Sequence, residues 1–388
     1  MGNKKIALIA PNYPSKGTPV YIFVQQLVHQ LVDMGYDLNI IAPQSITSRI
    51  IRGTKLRSKH TQELTENGNK YNVHRPYYFS AGNSSNRALK SFVAWNYRNA
   101  ILSVLRRLNP DVVYGHFWSS VVPVAPYCKK NNLPLFVACG EGDNDLENMV
   151  EAMTQEQIAY LNSCMSGMIS VSSENRRKCI NFGLISDERI VVLPNCVNVD
   201  LFTPGRNDEL RDHLGVTKDD FLICFVGGFI PRKGPKRLSD AIEMVQDGTI
   251  KTIFIGSPMA GDVEMPEGDS IVFKGKVDHD DIPQYLQASD LFVLPTLKEG
   301  CSNAIVEALV AGLPVVSSDG PFNDDILNEC NSIRVNPMDV PQIANAIKKF
   351  KDDKELYNSS KAYVLEHRID HSIAERAKKI ANFIESKI

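Results

Sequence analysis

Two carboxylates, Glu299 and Glu307, are the side chains of this 388-residue sequence that most clearly suggest chemistry. Glu299 lies in a short polar loop after an apolar segment at 291–294, and Glu307 is the only charged residue from 304 to 313. A helix that is apolar all round is normally buried, and an unpaired charge inside it is costly. Glu307 therefore needs a partner, which is either a basic side chain elsewhere in the chain or a polar group of a ligand.

The start of the same helix offers a place for an anion. Ser302 or Asn303 can cap the helix, and Gly312 before Pro314 ends it. The first N–H groups of a helix have no partner within it and lie at the positive end of its dipole, here one turn before Glu307. A nucleoside diphosphate carries a diphosphate and a vicinal diol at about this separation. A strand, loop and helix of this kind is common, so the segment alone leaves both alternatives open.

The elements that must position these residues follow a β-α rhythm. Apolar segments separated by helical patterns predict a first parallel sheet from strands at 5–10, 38–42, 112–114, 135–139, 168–171 and 189–193. A second series has strands at 221–226, 253–256, 271–275, 291–294 and 315–317. The turn-rich stretch 195–215 between them predicts a hinge. We expect an α/β protein with two doubly wound, Rossmann-like domains, residues 1–200 and 201–371, facing a central cleft, with a C-terminal helix at 372–388 packing back on the first domain.

Two cations, Arg232 and Lys233, precede the helix that follows the strand at 221–226. Positive side chains at a helix start oppose the helix dipole unless an anion is bound there. Phosphate contact is therefore favoured over a solvated basic turn. In the first domain, the loop from Pro11 to Pro19 contains only Gly17 and lacks the three-glycine dinucleotide fingerprint, which argues against a nicotinamide or flavin cofactor.

The motif around Glu307 resembles that of a known enzyme family. Glu299 and Glu307, followed by Ala308-Leu309 and Gly312-Leu313-Pro314-Val315-Val316, resemble the signature of the retaining nucleotide-sugar glycosyltransferases of family 4, which have the glycosyltransferase B fold. The resemblance implies a metal-independent enzyme that moves a sugar from a nucleoside diphosphate donor to an acceptor held mainly by the first domain. Attack on the donor would come from the front face, assisted by the leaving phosphate.

The resemblance also implies roles for individual residues. Glu307 would bind the ribose diol, while Glu299 and His116, which follows the strand at 112–114, would hold the transferred sugar. Gly228 stands where the family usually has a phosphate-binding arginine, and Arg232 could substitute for it. The remaining implied donor contacts are Gly17, Lys233 and the backbone of Cys301, Ser302 and Asn303 for the diphosphate, and Val277 for the base.

Acidic residues follow the strand at 135–139. Glu141 and Asp143 are expected on the acceptor side, because ligands bind at the carboxyl ends of strands in open parallel sheets. Asp143 and Asp145 also have the Asp-x-Asp spacing with which the other glycosyltransferase fold binds a diphosphate through a divalent cation. That fold has one nucleotide domain and this chain shows two, so we expect no metal.

Charge is distributed unevenly along the chain. The net charge is −2 overall, but residues 1–110 hold 15 Lys and Arg against 4 Asp and Glu, a net +11, and the rest carries −13. The stretch 49–75 is basic and rich in turn formers, which predicts an exposed, mobile excursion. Such a surface could dock on an anionic inner leaflet or be merely solvated. Its cations are Arg49, Arg52, Lys55, Arg57 and Lys59.

The remaining expectations concern compartment and partners. A signal segment and a spanning apolar run are not found, so we expect a cytoplasmic protein that could associate peripherally with the inner membrane face. The eight cysteines lack Cys-x-x-Cys spacing and are expected to be reduced and mostly buried. The expected acceptor is a glycan or a polyprenyl-diphosphate-linked glycan, and no nucleic acid is expected. A nucleotide-sugar epimerase, a phosphorylase, a two-domain solute binder and a non-catalytic nucleotide-sugar sensor stay open as alternatives.

Overall fold

The computed structural model describes residues 4–14, 21–53, 55–81, 86–142, 144–259 and 261–388, apart from the side chains of residues 49, 51 and 52. The chain divides into two compact units. The first comprises Met1–Val171, Asn175–Leu193 and Arg376–Ile388, and the second comprises Ser172–Glu174 and Pro194–Glu375. The predicted hinge at 195–215 begins next to this division.

The first unit is built on a sheet that runs in the order β10-β9-β8-β7-β1-β2-β5-β4. All its neighbouring strands are parallel except β4 and β5, and β3 and β6 form a separate parallel pair. The strands are β1 Lys5–Ile9, β2 Asp37–Ile41, β3 Gln44–Ser45, β4 His60–Leu64, β5 Lys70–His74, β6 Tyr77–Tyr78, β7 Val112–His116, β8 Leu135–Cys139, β9 Gly167–Ser170 and β10 Ile190–Val192. The helices are α1 Ile22–Asp33, α2 Ile46–Arg52, α3 Arg87–Leu108, α4 Trp118–Val121, α5 Ala125–Lys130, α6 Asp145–Glu151, α7 Gln155–Asn162 and α8 Ser173–Asn181.

The prediction of a mobile excursion over 49–75 is wrong for its second half. Strand β5 pairs with β2 in parallel and with β4 in the antiparallel sense, so both belong to the main sheet. Tyr71 and Val73 of β5 are buried, and the Asp33 carboxylate accepts hydrogen bonds from Thr65 Oγ1 at 2.7 Å and from Asn69 Nδ2 at 2.8 Å in the β4–β5 turn. The edge strand β4 is mostly polar, and in β5 polar residues alternate with apolar ones, so neither strand has the continuous apolar pattern of a covered strand.

The second unit has an all-parallel sheet in the order β13-β12-β11-β14-β15-β16. Its strands are β11 Phe221–Val226, β12 Ile250–Ile255, β13 Ile271–Gly275, β14 Leu291–Leu294, β15 Val315–Ser318 and β16 Ser332–Val335. The helices are α9 Asp208–His213, α10 Pro235–Val245, α11 Ile282–Ala288, α12 Asn303–Val310, α13 Val340–Asp352 and α14 Lys354–His367, followed by α15 Ile373–Glu385. The order reverses at β11, which lies between β12 and β14, and ligands bind at such switch points in parallel sheets.

The predicted α/β class with two parallel sheets is confirmed. Central strands such as β7, β8 and β14 are buried along their whole length, as expected for strands covered on both faces. The last helix, α15, begins in the second unit and continues into the first. There Arg376 donates to the carbonyl of Leu193, and the Tyr36 hydroxyl donates to Glu385 at 2.5 Å.

Candidate functional site

Glu307 is buried on α12 and its carboxylate contacts a histidine. The side chain is 8% exposed, and its Oε1 lies 3.1 Å from His279 Nε2. His279 begins a short 3₁₀ helix after β13, and Phe202 packs edge-on against its ring at 5.5 Å. Burial lowers the pKa of His279, but the hydrogen bond and charge of Glu307 outweigh this, so the pKa stands above its ordinary value. The charge of Glu307 thus has a partner within the protein, and that partner is neither a lysine nor an arginine.

Glu299 joins the two cations that the sequence placed in the donor site. Its Oε2 lies 3.4 Å from Arg232 Nη1, its Oε1 contacts Lys233 Nζ, and the Thr296 hydroxyl donates to Oε1 at 2.8 Å. The Glu299 side chain is 11% exposed and that of Lys233 is 17% exposed, so water screens the group only in part. Two cations therefore contact this one carboxylate beside the start of α10.

The fold brings this group together because the loops after β11 and β14 touch. The Leu297 N–H donates to the Arg232 carbonyl at 2.8 Å, and Arg237 Nη2 donates to the Pro295 carbonyl at 2.9 Å. Gly234 between the two arginines has φ +72°, and a Cβ there would lie 2.8 Å from the Pro295 oxygen. Glycine is therefore required for this approach of the two loops.

The N-terminus of α12 lies in the same loop region. Ser302 occupies the N-cap position, but its side chain makes no capping hydrogen bond, and among the described residues Asn303 Oδ1 is buried without a partner. Asn195 Nδ2 donates to the Cys301 carbonyl at 3.0 Å, which fixes the loop before the helix. The first N–H groups of α12 are therefore not satisfied by the predicted cap and remain suited to an anion.

Gly228 and Val277 follow strands β11 and β13 of the second sheet. Gly228 follows β11, and a Cβ added there would lie 2.4 Å from the Met259 sulfur, which is the end of a flexible, exposed side chain. Val277 is half-buried in the loop between β13 and His279. Both positions are compatible with their predicted donor contacts, which stay predictions.

In the first unit, His116 is the last residue of β7 and is buried. Its ring lies 5.3 Å from that of Phe23 and 4.7 Å from that of Phe117, and its Nδ1 has no partner among the described residues. Burial, with a smaller contribution from Arg376, lowers the pKa of His116 to about 3. The imidazole is therefore neutral near pH 7 and can exchange a hydrogen bond with a hydroxyl group.

Glu141 follows β8, and its carboxylate accepts a hydrogen bond from the first residue of α4. Its Oε1 accepts the Trp118 N–H at 2.8 Å, while its Oε2 is buried and has no partner within the part of the chain that is described. Burial raises the pKa of Glu141. Its predicted acceptor-side neighbour Asp143 lies outside the described residues, as does Gly17.

Within the described residues, no group of three or more His, Cys, Asp or Glu could hold a metal ion. This statement does not extend to the predicted pair of Asp143 and Asp145, because Asp143 lies outside the described residues. None of the described helices is long and apolar enough to cross a membrane.

Two family models match the chain, one on each side of its division. Residues 20–201 match Glycosyltransferase Family 4, and residues 220–353 match Glycosyl transferases group 1. The chain belongs to glycosyltransferase family 4. Matches on both sides of the division confirm the resemblance carried by Glu299 and Glu307, and with it the glycosyltransferase B fold.

Individual relatives of this glycosyltransferase agree with the family. TuaC of Bacillus subtilis (strain 168), a glycosyltransferase provisionally assigned to teichuronic acid biosynthesis, is 25% identical over 363 residues, 90% of each chain. A UDP-Gal:alpha-D-GlcNAc-diphosphoundecaprenol alpha-1,3-galactosyltransferase of Escherichia coli is 29% identical over 213 residues, 51% of this chain and 54% of that one.

Solved structures share the fold over nearly the whole length. Sucrose-phosphate synthase from Thermosynechococcus elongatus has a TM-score of 0.76 at 18% identity, covering 99% of this chain and 98% of that one. Anabaena HepE in complex with UDP-glucose has a TM-score of 0.71 at 17% identity, covering 99% and 100%. At these identities the likeness concerns the fold alone.

Sequence reasoning about this glycosyltransferase missed His279. A lone histidine in a polar stretch carries no periodic signal, and only its place after a predicted strand, two residues beyond Val277, could have indicated it. From the sequence, Glu299 is expected to hold the transferred sugar, and Arg232 and Lys233 are expected to contact the diphosphate. In the structure, Glu299 forms ion pairs with both cations.

Proposed function

We propose that this glycosyltransferase moves a sugar from a nucleoside diphosphate sugar to a lipid-linked glycan, with retention of configuration, in the synthesis of a surface polysaccharide. The observation that carries the donor class is that one unit holds both a buried carboxylate, Glu307, and two cations, Arg232 and Lys233. All three lie in the second unit, at the carboxyl ends of its strands or one turn into α12.

The donor contacts follow from this arrangement. Glu307, held at one oxygen by His279, accepts hydrogen bonds from the ribose diol. Lys233 and Arg232 contact the diphosphate together with the N–H groups at the start of α12. The backbone at Val277 contacts the base. Stabilising a leaving diphosphate by fixed positive charge is the largest contribution such a site can make to the rate.

The transfer step exchanges one bond at the anomeric carbon of the sugar. The bond from that carbon to the phosphate oxygen breaks, and the acceptor hydroxyl forms the new bond on the same face. The hydroxyl proton passes to the departing phosphate oxygen. His116, which is neutral, would accept or donate a hydrogen bond to a sugar hydroxyl, and Glu299 would position Lys233 and Arg232.

The acceptor class comes from the relatives together with the charge of the first unit. The Bacillus and Escherichia relatives are named for teichuronic acid biosynthesis and for a diphosphoundecaprenol substrate. A net charge of +11 over residues 1–110 favours an anionic partner. Each Lys or Arg close to an anionic membrane contributes about 1 kcal/mol, so the cluster of Arg49, Arg52, Lys55, Arg57 and Lys59 would localise the enzyme at such a surface.

A two-step assay tests the proposal. Nucleoside diphosphate sugars are first screened by thermal shift, and those that stabilise the protein are then assayed for nucleoside diphosphate release with and without polyprenyl-diphosphate-linked glycans. We expect release to depend on the acceptor. Binding without release under any acceptor would favour a non-catalytic sensor, and conversion of the donor without an acceptor would favour an epimerase.

A further inference from the structure

The first half of α3 has no buried residue among those that the structure describes. Its start is capped, because Asn86 Oδ1 accepts the Leu89 N–H at 3.1 Å. Three large apolar side chains on it face solvent: Leu89 is 40%, Phe92 48% and Trp95 60% exposed. From Ala100 onward one side of the helix is buried, with Ile101 and Leu105 in the hydrophobic core of the first unit. A soluble protein rarely exposes neighbouring large apolar side chains unless they contact another surface.

Adjoining elements extend this exposed region. Phe79, just after β6, is 47% exposed, and its N–H donates to Asn96 Oδ1 of α3 at 2.7 Å. Ile50 on α2 is 77% exposed, and α2 is tied to the residue after Phe79 by the Ser80 N–H, which donates to Thr47 Oγ1 at 2.9 Å. We call the exposed side chains of Ile50, Phe79, Leu89, Phe92 and Trp95 the apolar surface.

The charged residues of the segment that carries Phe79 and α3 have one sign. Residues 67–110 contain seven Lys and Arg and no Asp or Glu. An α-helix advances about 100° per residue, so Leu89, Phe92 and Trp95 lie within about 120° of one another on α3, while the cations that precede Ala100 fall on a different side. These cations are Arg87, Lys90 and Arg98, and all three are exposed.

Exposed apolar side chains next to cations fit some binding partners better than others. A second copy of the chain would bring the same cations against themselves, and like charges repel. Single-stranded nucleic acid is anionic and stacks on aromatic rings, but it offers nothing to the aliphatic Ile50 and Leu89. An anionic bilayer offers both negative headgroups and hydrocarbon, and helices with an apolar aromatic side and a basic side lie in that boundary.

We propose that the apolar surface inserts into the boundary between headgroups and acyl chains of an anionic bilayer, while Arg87, Lys90 and Arg98 contact the headgroups. The inference rests on the proposed lipid-linked acceptor. The cations between Arg49 and Lys59 would dock by charge, and the apolar surface would add a hydrophobic contact. This hydrophobic contact should persist at salt concentrations that screen surface charge.

The tryptophans of the chain provide a direct test. The sequence has two, Trp95 at 60% exposure and Trp118 at 1%. Vesicles of phosphatidylglycerol and phosphatidylcholine should shift the emission of Trp95 to shorter wavelength, and lipids brominated in the acyl chains should quench it. The variant Trp95→Phe reports the Trp118 background and should show neither change. Sedimentation with vesicles without a shift or quenching would overturn insertion and leave electrostatic docking alone.

A second variant tests the surface without changing charge. Phe92→Ser should weaken partition into these vesicles about tenfold. Met338→Ser, which alters a side chain of the second unit that is 63% exposed, is the matched control and should partition like the wild type. Equal binding by Phe92→Ser, or displacement from vesicles by an oligonucleotide, would contradict the proposal.

These measurements use neither donor nor acceptor. A failure of insertion is therefore distinguished from a failure of the proposed transferase function, which would show as a loss of nucleotide binding or of product release in solution. Circular dichroism of Phe92→Ser should match that of the wild type, because Phe92 is half exposed and outside the core.

Discussion

His279 Nε2 lies 3.1 Å from Glu307 Oε1, so the carboxylate proposed to bind ribose is held in place before any ligand arrives. The two residues come from the 3₁₀ helix after β13 and from α12. A carboxylate oriented in advance loses less conformational freedom when a ligand binds, and this favours affinity.

Replacing Glu307 should weaken donor binding. Glu307→Gln loses charge-assisted hydrogen bonds to the ribose diol, so the affinity for the nucleoside diphosphate should fall by about 1–3 kcal/mol, roughly 5- to 150-fold. Titration calorimetry on the folded variant measures it. Glu329→Gln changes an exposed carboxylate of the same unit and should bind like the wild type. Unchanged affinity in the Glu307 variant would refute its assignment to the ribose.

The ion pair with His279 should make stability depend on pH. The folded pKa of His279 lies above its ordinary value of 6.5, so the contribution is fully present below pH 6.5 and is lost as pH rises through the folded pKa. Glutamine can keep a neutral hydrogen bond but cannot titrate. Between pH 6 and pH 8 the wild type should therefore lose roughly 1–3 °C more in Tm than His279→Gln. Parallel pH profiles of the two proteins would show that the pair contributes no charge interaction.

Changing Lys233 should affect phosphate recognition alone. Lys233→Met should lower the affinity for the nucleoside diphosphate about tenfold and leave the affinity for the nucleoside unchanged, because only the diphosphate contacts the cation. Lys236→Met is the matched control, since Lys236 is half exposed and pairs with Asp240 within α10. Equal losses for nucleoside and nucleoside diphosphate would indicate that Lys233 supports the fold instead.

His116 should remain neutral across the physiological range. Its pKa of about 3 lies below the ordinary value, so the stability that comes from burying the neutral ring is complete above pH 6.5 and is lost as pH falls towards 3. The ring resonances of His116, assigned by comparison with His116→Asn, should not move between pH 5 and pH 8. A midpoint near 6.5 would show that the ring is solvated in solution.

Transfer should survive EDTA. Arg232, Lys233 and the N–H groups at the start of α12 supply positive charge to the diphosphate, so a divalent cation is not required. Product release is measured with EDTA and then with added manganese. Complete loss with EDTA and recovery with manganese would move the diphosphate site to Asp143 and Asp145.

The regular parts of the fold were predictable because their signals are local. A continuous apolar segment predicts a covered strand, and the predicted bounds at 135–139, 221–226, 271–275 and 291–294 match β8, β11, β13 and β14. Strand β16, helices α9 and α11 and the β4–β5 pair were missed. These segments contain polar and apolar residues in mixed or alternating order. Their conformation is decided by the strands and helices they pack against, which are distant in sequence.

The sequence by itself determined the two-sheet α/β architecture, the membership of family 4 and the identity of Glu307 as a carboxylate that needs a partner. Periodicity, helix capping and one motif carry this information within a few dozen residues. Only the tertiary structure decided which partner Glu307 has, that Glu299 joins Arg232 to Lys233, and that Phe92 and Trp95 stay outside the core. These are contacts between side chains, or their absence, and they depend on which strand ends and helix faces lie together in space, which no local pattern encodes.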